Sequence, residues 1–182
     1  MSVRSVDKYV QYIVEWKIVV CKKCKYAVWP KEITSHFTGH QHRLGKAEVC
    51  EIQAQVDQIA GLATHFNDVP ALDGTVKAFN ALHMYSDGLL CTIDPDHCKY
   101  ICRHERSIKK HCQQHHGWVR YRRRGRPSKT TQRRVQEERP VPWKQVTCQT
   151  FFVQGLGKRF FEVDAGLTEE EVVVENLSLI HI

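Results

Sequence analysis

The chain has 182 residues, a length that suits one domain or two small ones and excludes a large enzyme core. Its 42% hydrophobic and 26% charged residues are typical of a globular protein, and no apolar run reaches the roughly 18 residues of a membrane span. Gln11, Glu15 and Lys17 interrupt the apolar stretch at 10–20, which therefore does not resemble a signal peptide. We expect an intracellular, reducing location.

The formal net charge of +7 lies in one segment. Residues 119–139 contain nine arginines and lysines against two glutamates, an excess that equals the net charge of the whole chain. A basic block in an otherwise balanced chain is typical of a segment that binds a polyanion, with a solvated linker as the alternative.

The N-terminal part is predicted to contain a strand and a helix. Apolar residues alternate with polar ones at 10–20, which predicts a half-buried strand leading into Cys21. At 45–63 the apolar positions step by four, three and four residues, so we expect an amphipathic helix of about four turns that packs on its neighbours.

The rest of the chain is predicted to hold a connector, an extended segment and a hairpin. Turn signals at 67–88 indicate a connector with one helical turn near 76–82. Glycines and prolines among the charges at 120–142 indicate an extended, mobile segment. Alternation at 146–152, a Gly-Leu-Gly turn and a returning apolar run predict a hairpin. The acidic, then apolar end at 168–182 has no terminating signal, which indicates a truncated chain.

The eight cysteines carry the clearest chemistry in the sequence. No secretory signal precedes them and they stand beside histidines, which indicates metal ligands rather than disulfides. Cys21 and Cys24 form a Cys-x-x-Cys pair, and after eleven intervening residues His36 is followed by His40 and His42. Structural zinc takes four such ligands in a tetrahedron, so this spacing predicts one zinc ion. A chance Cys-x-x-Cys pair near unrelated histidines is the alternative.

The second Cys/His group admits two registers. In a two-Cys, two-His finger the small core takes apolar residues four positions after the second cysteine and again shortly before the first histidine, and Cys102 and Ile108 fit these places. The first loop is then six residues long, more than the usual two to four, and twelve residues separate the second cysteine from the first histidine. In this favoured register the ligands are Cys91, Cys98, His111 and one of the histidines at 115–116.

The rival register pairs Cys98 with Cys102. It gives a normal first loop but leaves only eight residues before the first histidine and no apolar residue for the core. In either register Cys112 is expected to point away from the metal. Cys50 and Cys148 have no neighbouring histidine, so we interpret them as buried small apolar residues.

Four segments within residues 9–164 form a combined pattern. They are CKKCKYAVWPKEITSHFTGHQHRL, DGLLCTIDPDHCKYICRHERSIKKHCQQHHGW, the Arg-Arg-Arg-Gly-Arg that follows, and PWKQVTCQTFFVQGLGKRFFEV. In this order they resemble a family of fungal proteins named after the orsellinic-acid cluster protein D. The run HCQQHHGW and the combination of Trp, Val-x-Cys-Gln and Phe-Phe are its specific parts. The resemblance implies paired zinc-finger-like segments without an established activity, and some members resemble pieces of mobile elements.

The resemblance also implies which histidines complete the two sites. Family members place the last ligand of the second site before Gly-Trp, and they follow the last histidine of the first site with a basic and an aliphatic residue. This chain departs from the family in its long loop between Cys91 and Cys98 and in the crowded pair His40 and His42. With His42 and His116 chosen in this way, the predicted ligands are Cys21, Cys24, His36 and His42 in the first site, and Cys91, Cys98, His111 and His116 in the second.

The second finger offers side chains that suit DNA. A finger directs helix positions −1, 3 and 6 at successive bases in the major groove. If the first histidine ligand is position 7, these positions hold His104, Ser107 and Lys110, with Arg106 at position 2. All four can bond bases or phosphates.

The first finger suits DNA less well. Its corresponding positions hold Trp29, Glu32 and Ser35, a poor set for an anionic groove. In addition, 48 residues separate His42 from Cys91, so the two fingers cannot follow one groove as a tandem array does. We do not expect sequence-specific reading by the pair.

The basic segment contains a short motif of its own. Arg124-Gly-Arg126-Pro127 resembles the core of an AT-hook, in which an extended strand lies in the narrow minor groove of A·T-rich DNA. That groove concentrates negative potential and admits arginines, which makes the motif physically reasonable. A nuclear-import signal would use the same charges. The candidate contacts are Arg122, Arg123, Arg124, Arg126 and Lys129.

Two other function classes are weighed against DNA binding. A protein-interaction module would use aromatic contacts, although burial in a small core is the favoured interpretation of these residues. An enzyme is not expected, because the chain has no glycine-rich phosphate loop and no His-Glu-x-x-His, and four protein ligands close a zinc site to substrate. The aromatic residues in question are Trp29, Trp143, Phe151, Phe152, Phe160 and Phe161.

The sequence thus predicts a small α+β protein stabilised by two zinc ions, with two separated ββα-like fingers, an amphipathic helix and a C-terminal β-hairpin. DNA is the expected partner, a zinc-stabilised protein–protein interaction module is the alternative, and neither a membrane nor a small-molecule substrate is expected. A nuclear location follows. The expected parts are an N-terminal finger with its helix at 9–63, a connector at 64–88, a second finger at 89–118, a basic linker at 119–142, a hairpin at 143–165 and an acidic tail at 166–182.

Overall fold

Three short strands form a sheet at the start of the chain. A computed structural model describes residues 7–70, 72, 74–118, 141–155 and 158–168. Strands β1 (Val10–Ile13), β2 (Ile18–Cys21) and β3 (Tyr26–Val28) pair antiparallel in that order. The single strand predicted here is wrong, because the chain reverses between β1 and β2. At this reversal Lys17 takes a left-handed φ of 54° and donates its backbone N–H to the Val14 carbonyl at 3.1 Å.

Two helices, α1 (Ile33–Thr38) and α2 (Lys46–Asp57), pack against each other beside this sheet. Helix α2 buries one apolar stripe, as its spacing predicts, but it ends at Asp57 rather than at 63. Past its end Gly61 has a left-handed φ of 74°, which does not continue a helix and favours glycine. Sheet and helices enclose the first-finger core, which consists of Val10, Val19, Cys21, Val28, Ile33, Phe37, Val49, Ile52 and Val56.

A second sheet contains the strands β4 (Val76–Ala78), β5 (Tyr85–Cys91), β6 (Ile101–Cys102), β7 (Trp143–Thr150) and β8 (Phe160–Thr168), in the order β4-β8-β7-β5-β6. The predicted C-terminal hairpin is confirmed, since β7 and β8 are antiparallel with Cys148 opposite Glu162. Of its predicted turn at 155–157, only Gly155 lies within the described residues. The helical turn predicted near 76–82 is wrong, because β4 lies there and pairs in parallel with β8.

Helix α3 (Glu105–His116) lies against β5 and β6. It ends at Gly117, whose left-handed φ of 62° lets its N–H donate to the Cys112 carbonyl, a common glycine cap. Helix and strands enclose the second-finger core. Its four buried residues are Cys91, Cys102, Ile108 and Cys112.

The two sheets meet in a shared core. The Ala27 N–H donates to the Phe151 carbonyl at 2.7 Å, and the Trp29 ring stacks on Phe152 with centroids 4.0 Å apart. The fingers are therefore separate in sequence but joined by packing. The shared core consists of Ile13, Ile18, Val20, Ala27, Ala63, Ala78, Leu82, Phe151, Phe152, Phe161 and Val163.

The architecture is α+β, as predicted. Cys148 is fully buried as expected, but Cys50 is exposed, because the buried stripe of α2 runs through its neighbour Val49 and leaves Cys50 on the outer side. No helix among the described residues is long and apolar enough to cross a membrane. The basic segment at 119–140 and the tail at 169–182 lie outside the described residues.

Candidate metal centres

The first Cys/His group gathers residues from three elements. Cys21 ends β2, Cys24 lies in the turn before β3, His36 lies in α1 and His42 follows that helix. Their ligand atoms all lie within 4.8 Å of one another, with His42 Nε2 at 3.1 Å from Cys24 Sγ and 3.6 Å from Cys21 Sγ. A tetrahedral zinc ion at its usual bond lengths would place neighbouring sulfur and nitrogen ligands about 3.6 Å apart. The group could hold one such ion.

Local backbone geometry brings these four residues together. The Lys25 N–H donates to the Cys21 carbonyl at 2.7 Å, and Lys25 takes a left-handed φ of 55°, which closes the Cys-x-x-Cys turn. At the other end Gly39 ends α1 and accepts the His42 N–H at 3.1 Å. The chain therefore turns back after the helix, and His42 reaches the two cysteines.

The second group has the same composition. Cys91 ends β5, Cys98 lies in the loop before β6, and His111 and His116 lie in α3. Their ligand atoms also lie within 4.8 Å of one another, and Cys98 Sγ is 3.2 Å from His111 Nε2. The long first loop is folded by Asp94, which accepts the Cys98 N–H at its carbonyl at 2.8 Å and contacts the His97 ring with its carboxylate. Its length is thus no obstacle to bringing the cysteines together.

The other cysteines and histidines near the two sites belong to neither metal group. His40 and His115 are exposed and belong to neither group. Cys102 is buried in the second-finger core, where its thiol donates to the His104 carbonyl at 3.4 Å. Cys112 is not one of the four grouped residues, but it does not point away from them as expected, because its side chain is fully buried in the same core beside Cys91. The structure thus brings together the two predicted sets of four residues, with Cys91 and Cys98 as the second cysteine pair.

Two buried imidazole nitrogens fit a bound metal ion. The Nε2 atoms of His36 and His116 are buried and have no hydrogen-bond partner among the described residues. A buried polar atom left unpaired costs about 1–3 kcal/mol. A metal ion bound by each group would use both nitrogens, so these atoms fit a metal site.

Protonation also fits metal binding. Burial, followed by the nearby His42, lowers the pKa of His36 to about 4, so this imidazole is neutral at pH 7, as a metal ligand must be. Burial, followed by the Cys21 thiol, raises the pKa of Cys24 to about 11. A thiolate here therefore needs a cation beside it, which a divalent metal supplies. Two sulfurs and two nitrogens are the donor set of many structural zinc sites.

The residues predicted to contact DNA are described only in part. On α3 and at its start His104, Arg106 and Lys110 are exposed and Ser107 is half-buried. In the first finger Trp29 is half-buried against Phe152. The five basic side chains of the hook-like motif, Arg122, Arg123, Arg124, Arg126 and Lys129, lie outside the described residues.

One polar cluster between the fingers was missed by the sequence reasoning. The Tyr26 hydroxyl hydrogen bonds to the Tyr85 hydroxyl, and the Arg103 guanidinium lies 3.9 Å from the centroid of the Tyr85 ring. Arg103 also holds both carboxylate oxygens of Asp87, at 2.6 and 2.9 Å. Tyr26 and Tyr85 are 59 residues apart, so no local pattern signals their contact.

Comparison with known proteins gives one match. The family model described as Orsellinic acid/F9775 biosynthesis cluster protein D matches residues 8–117, a range that includes both Cys/His groups and ends at the glycine that caps α3. Searches of curated proteins and of solved structures found no match. Because the match covers more than half of the chain, the protein belongs to the orsellinic acid cluster protein D family.

Proposed function

We propose that this protein binds double-stranded DNA through the outer face of α3 and the arginine-rich segment that follows it. The observation that carries the proposal is the placement of His104, Arg106 and Lys110, which are exposed at the cap and in the first two turns of a helix whose later residues complete a Cys/His group. This is the part of a finger helix that enters the major groove. Lys109 pairs with Glu105, whereas Arg106 and Lys110 form no ion pair with a described acid.

A contact between two tryptophans supports joint action of helix and basic segment. Trp118 and Trp143, on either side of that segment, pack with ring centroids 5.8 Å apart. The Trp118 N–H donates to the Cys112 carbonyl at 3.0 Å, and the Pro142 carbonyl accepts the Thr92 N–H at 3.1 Å. Both ends of the segment are thus attached beside the second finger. Once α3 holds a DNA molecule, the arginines are therefore present near it at high effective concentration, which favours a second contact.

The two metal sites have a structural role in this proposal. Cys91, Cys98, His111 and His116 would hold one zinc ion and so fix α3 to β5, and the first group would do the same for α1 and β2. Bound zinc supplies folding free energy, and four protein ligands at each site leave no position for a substrate. We accordingly propose a binding protein, not an enzyme, that acts in the nucleus.

A protein-interaction module is the less favoured alternative. The aromatic residues that such a module would present to a partner are buried or half-buried within the fold. Phe151, Phe152 and Phe161 are buried in the shared core, and Trp29 stacks on one of them. This burial reduces the aromatic surface open to a partner, although Trp143 and Phe160 are only half-buried, and it supports the basic surfaces as the binding region.

Replacement of Arg124 and Arg126 by alanine tests the proposal. We expect a salt dependence of DNA affinity with a slope of about −4 to −6 for the wild type, and a slope flatter by about two for the variant. A preference for A·T-rich duplex should be lost as well, because A-tracts narrow the minor groove and the guanine amino group obstructs its floor. Zinc content should not change.

Arg133→Ala/Arg134→Ala is the matched control, since these arginines lie in the same segment outside the hook-like motif. It should flatten the slope similarly but keep the A·T preference. Equal affinity of the wild type and the Arg124→Ala/Arg126→Ala variant for an A·T-rich duplex would refute the hook. Absence of any duplex binding by the zinc-loaded wild type would refute the function itself.

A further inference from the structure

We propose that the first finger binds the DNA backbone through the lysines of its Cys-x-x-Cys turn, Lys22 and Lys25, rather than through its helix. This inference rests on the proposed DNA binding and adds a second contact region to it. The helix positions of the first finger offer a tryptophan, a glutamate and a serine, which suit an anionic groove poorly. Three lysines of this finger lie together in the turn between β2 and β3 instead.

The turn holds its lysines outward on a fixed backbone. Lys22, Lys23 and Lys25 are all exposed. The Lys23 ammonium bonds to the Gln41 carbonyl, so it secures the segment that carries His42. Lys22 and Lys25 form no ion pair with any described acid and are available to phosphate. Because the flanking cysteines belong to the first metal group, the same geometry that suits a metal ion sets the direction of these lysines.

A series of contacts leads from this turn to the DNA-binding helix. The Lys25 carbonyl accepts the His83 N–H at 3.1 Å, and the His83 ring lies 4.7 Å from the Tyr85 ring. Tyr85 in turn carries the Arg103 guanidinium on its face, and Arg103 directly precedes the helix cap His104. The lysines of the first finger and the cations of α3 are therefore linked through packed groups and not through a free linker.

The charge between the two regions does not oppose a polyanion. Asp87 is an acid at this junction, and Arg103 neutralises it by binding both of its carboxylate oxygens. Duplex DNA presents one negative charge per about 1.7 Å of helix axis, so a rigid surface with cations at both ends can meet several phosphates at once. Phosphate contacts of this kind fix the orientation of a helix in the groove. We assign that role to the first finger.

The test compares two double variants of the full, zinc-loaded chain. Lys22→Gln/Lys25→Gln removes the proposed contacts, and Lys77→Gln/Lys158→Gln removes two lysines beside the opposite edge of the second sheet. DNA affinity is measured by fluorescence anisotropy with a labelled A·T-rich duplex over a series of salt concentrations. We expect the first variant to flatten the salt slope by about two and the second to leave it unchanged. Both should retain two zinc ions.

A measurement on the wild type covers the case in which a variant folds poorly. Excess duplex DNA should protect Lys22 and Lys25 from chemical acetylation and leave Lys77 and Lys158 reactive. Equal slopes and equal protection for the two pairs would overturn this inference. The proposed function would survive that result if Arg106→Gln/Lys110→Gln still weakens binding. Failure of the wild type to bind any duplex, or tighter binding to duplex RNA, would overturn the inference as well, the former together with the proposed function.

Discussion

The two fingers use the same four ligand types but are embedded very differently. The first-finger core has nine buried residues, and Cys21 is its one metal-group member. The second-finger core has four buried residues, of which three are cysteines and Ile108 is the only large aliphatic side chain. Burial of a large apolar side chain contributes about 1.5–3 kcal/mol, so apolar packing can order much of the first finger. We therefore expect the second finger to depend on a bound metal more strongly than the first.

Removal of metal should give the largest effect and separate the two fingers. A structural zinc ion contributes on the order of 10–16 kcal/mol in finger peptides at pH 7. With chelator, we expect α3 to lose its amide hydrogen-exchange protection, while α2 and the strand pair β1–β2 keep part of theirs. Elemental analysis before chelation should give two zinc ions per chain. Equal loss of protection in both fingers would contradict the expectation that the second finger relies more on metal. Less than one zinc ion per chain would contradict the assignment of the two Cys/His groups as zinc sites.

Single cysteine variants sharpen the comparison within the second finger. Cys91→Ser should remove one of the two zinc ions, because it deletes a member of the second group. Cys102→Ala should retain both ions and cost about 1–2 kcal/mol, since Cys102 is a small buried side chain outside the group. Zinc content and the free energy of unfolding measure the two effects. The opposite pattern would establish Cys98 and Cys102 as the cysteine pair.

A core variant tests whether packing alone supports the first finger. Phe37 is fully buried between Tyr9 and the ring of His42, and Phe37→Ala should cost about 3–5 kcal/mol. Both zinc ions should remain, because no ligand is removed. The matched control is Tyr12→Ala in β1, which is only half-buried and should cost less. A loss of unfolding free energy no greater than that of the control would show that the first finger, too, relies mainly on metal.

The metal groups could be predicted from sequence because cysteines and histidines at these spacings are typical of a four-ligand metal site and of little else. Cys21 and Cys24 are separated by a turn that any such pair requires, and the apolar positions Cys102 and Ile108 selected the register of the second group. Choosing His42 over His40 needed the family resemblance. Spacing gives no information on where a chain turns after Gly39 ends the helix.

Apart from its β7–β8 hairpin, the second sheet could not be predicted, because β4 pairs with β8 and β5 pairs with β7 across long stretches of chain. Strand β4 has three residues, and its register with β8 places Val76 opposite Val163. A strand this short has no periodicity of its own and takes its conformation from its partner. Long-range packing also explains why the reversal between β1 and β2 was not predicted. Trp16 lies in that turn but packs against Phe79 and Phe151, so the apolar alternation of the sequence continues through the turn.

The smallest effect is expected at the hydroxyl contact that joins the two fingers. Burial, followed by the hydrogen bond to Tyr26, raises the pKa of Tyr85 to about 12, whereas an unfolded tyrosine has a pKa of about 10. The folded state therefore holds this proton more tightly, and the resulting stability is fully present below about pH 10 and is lost as the pH rises toward 12. Tyr85→Phe should cost about 0.5–1.5 kcal/mol at neutral pH and should lose less stability than the wild type over the alkaline range. Denaturant unfolding at several pH values measures both, with Tyr12→Phe as the control that keeps the contact. An alkaline loss of stability in Tyr85→Phe as large as in the wild type would show that this hydroxyl pair does not couple the fingers.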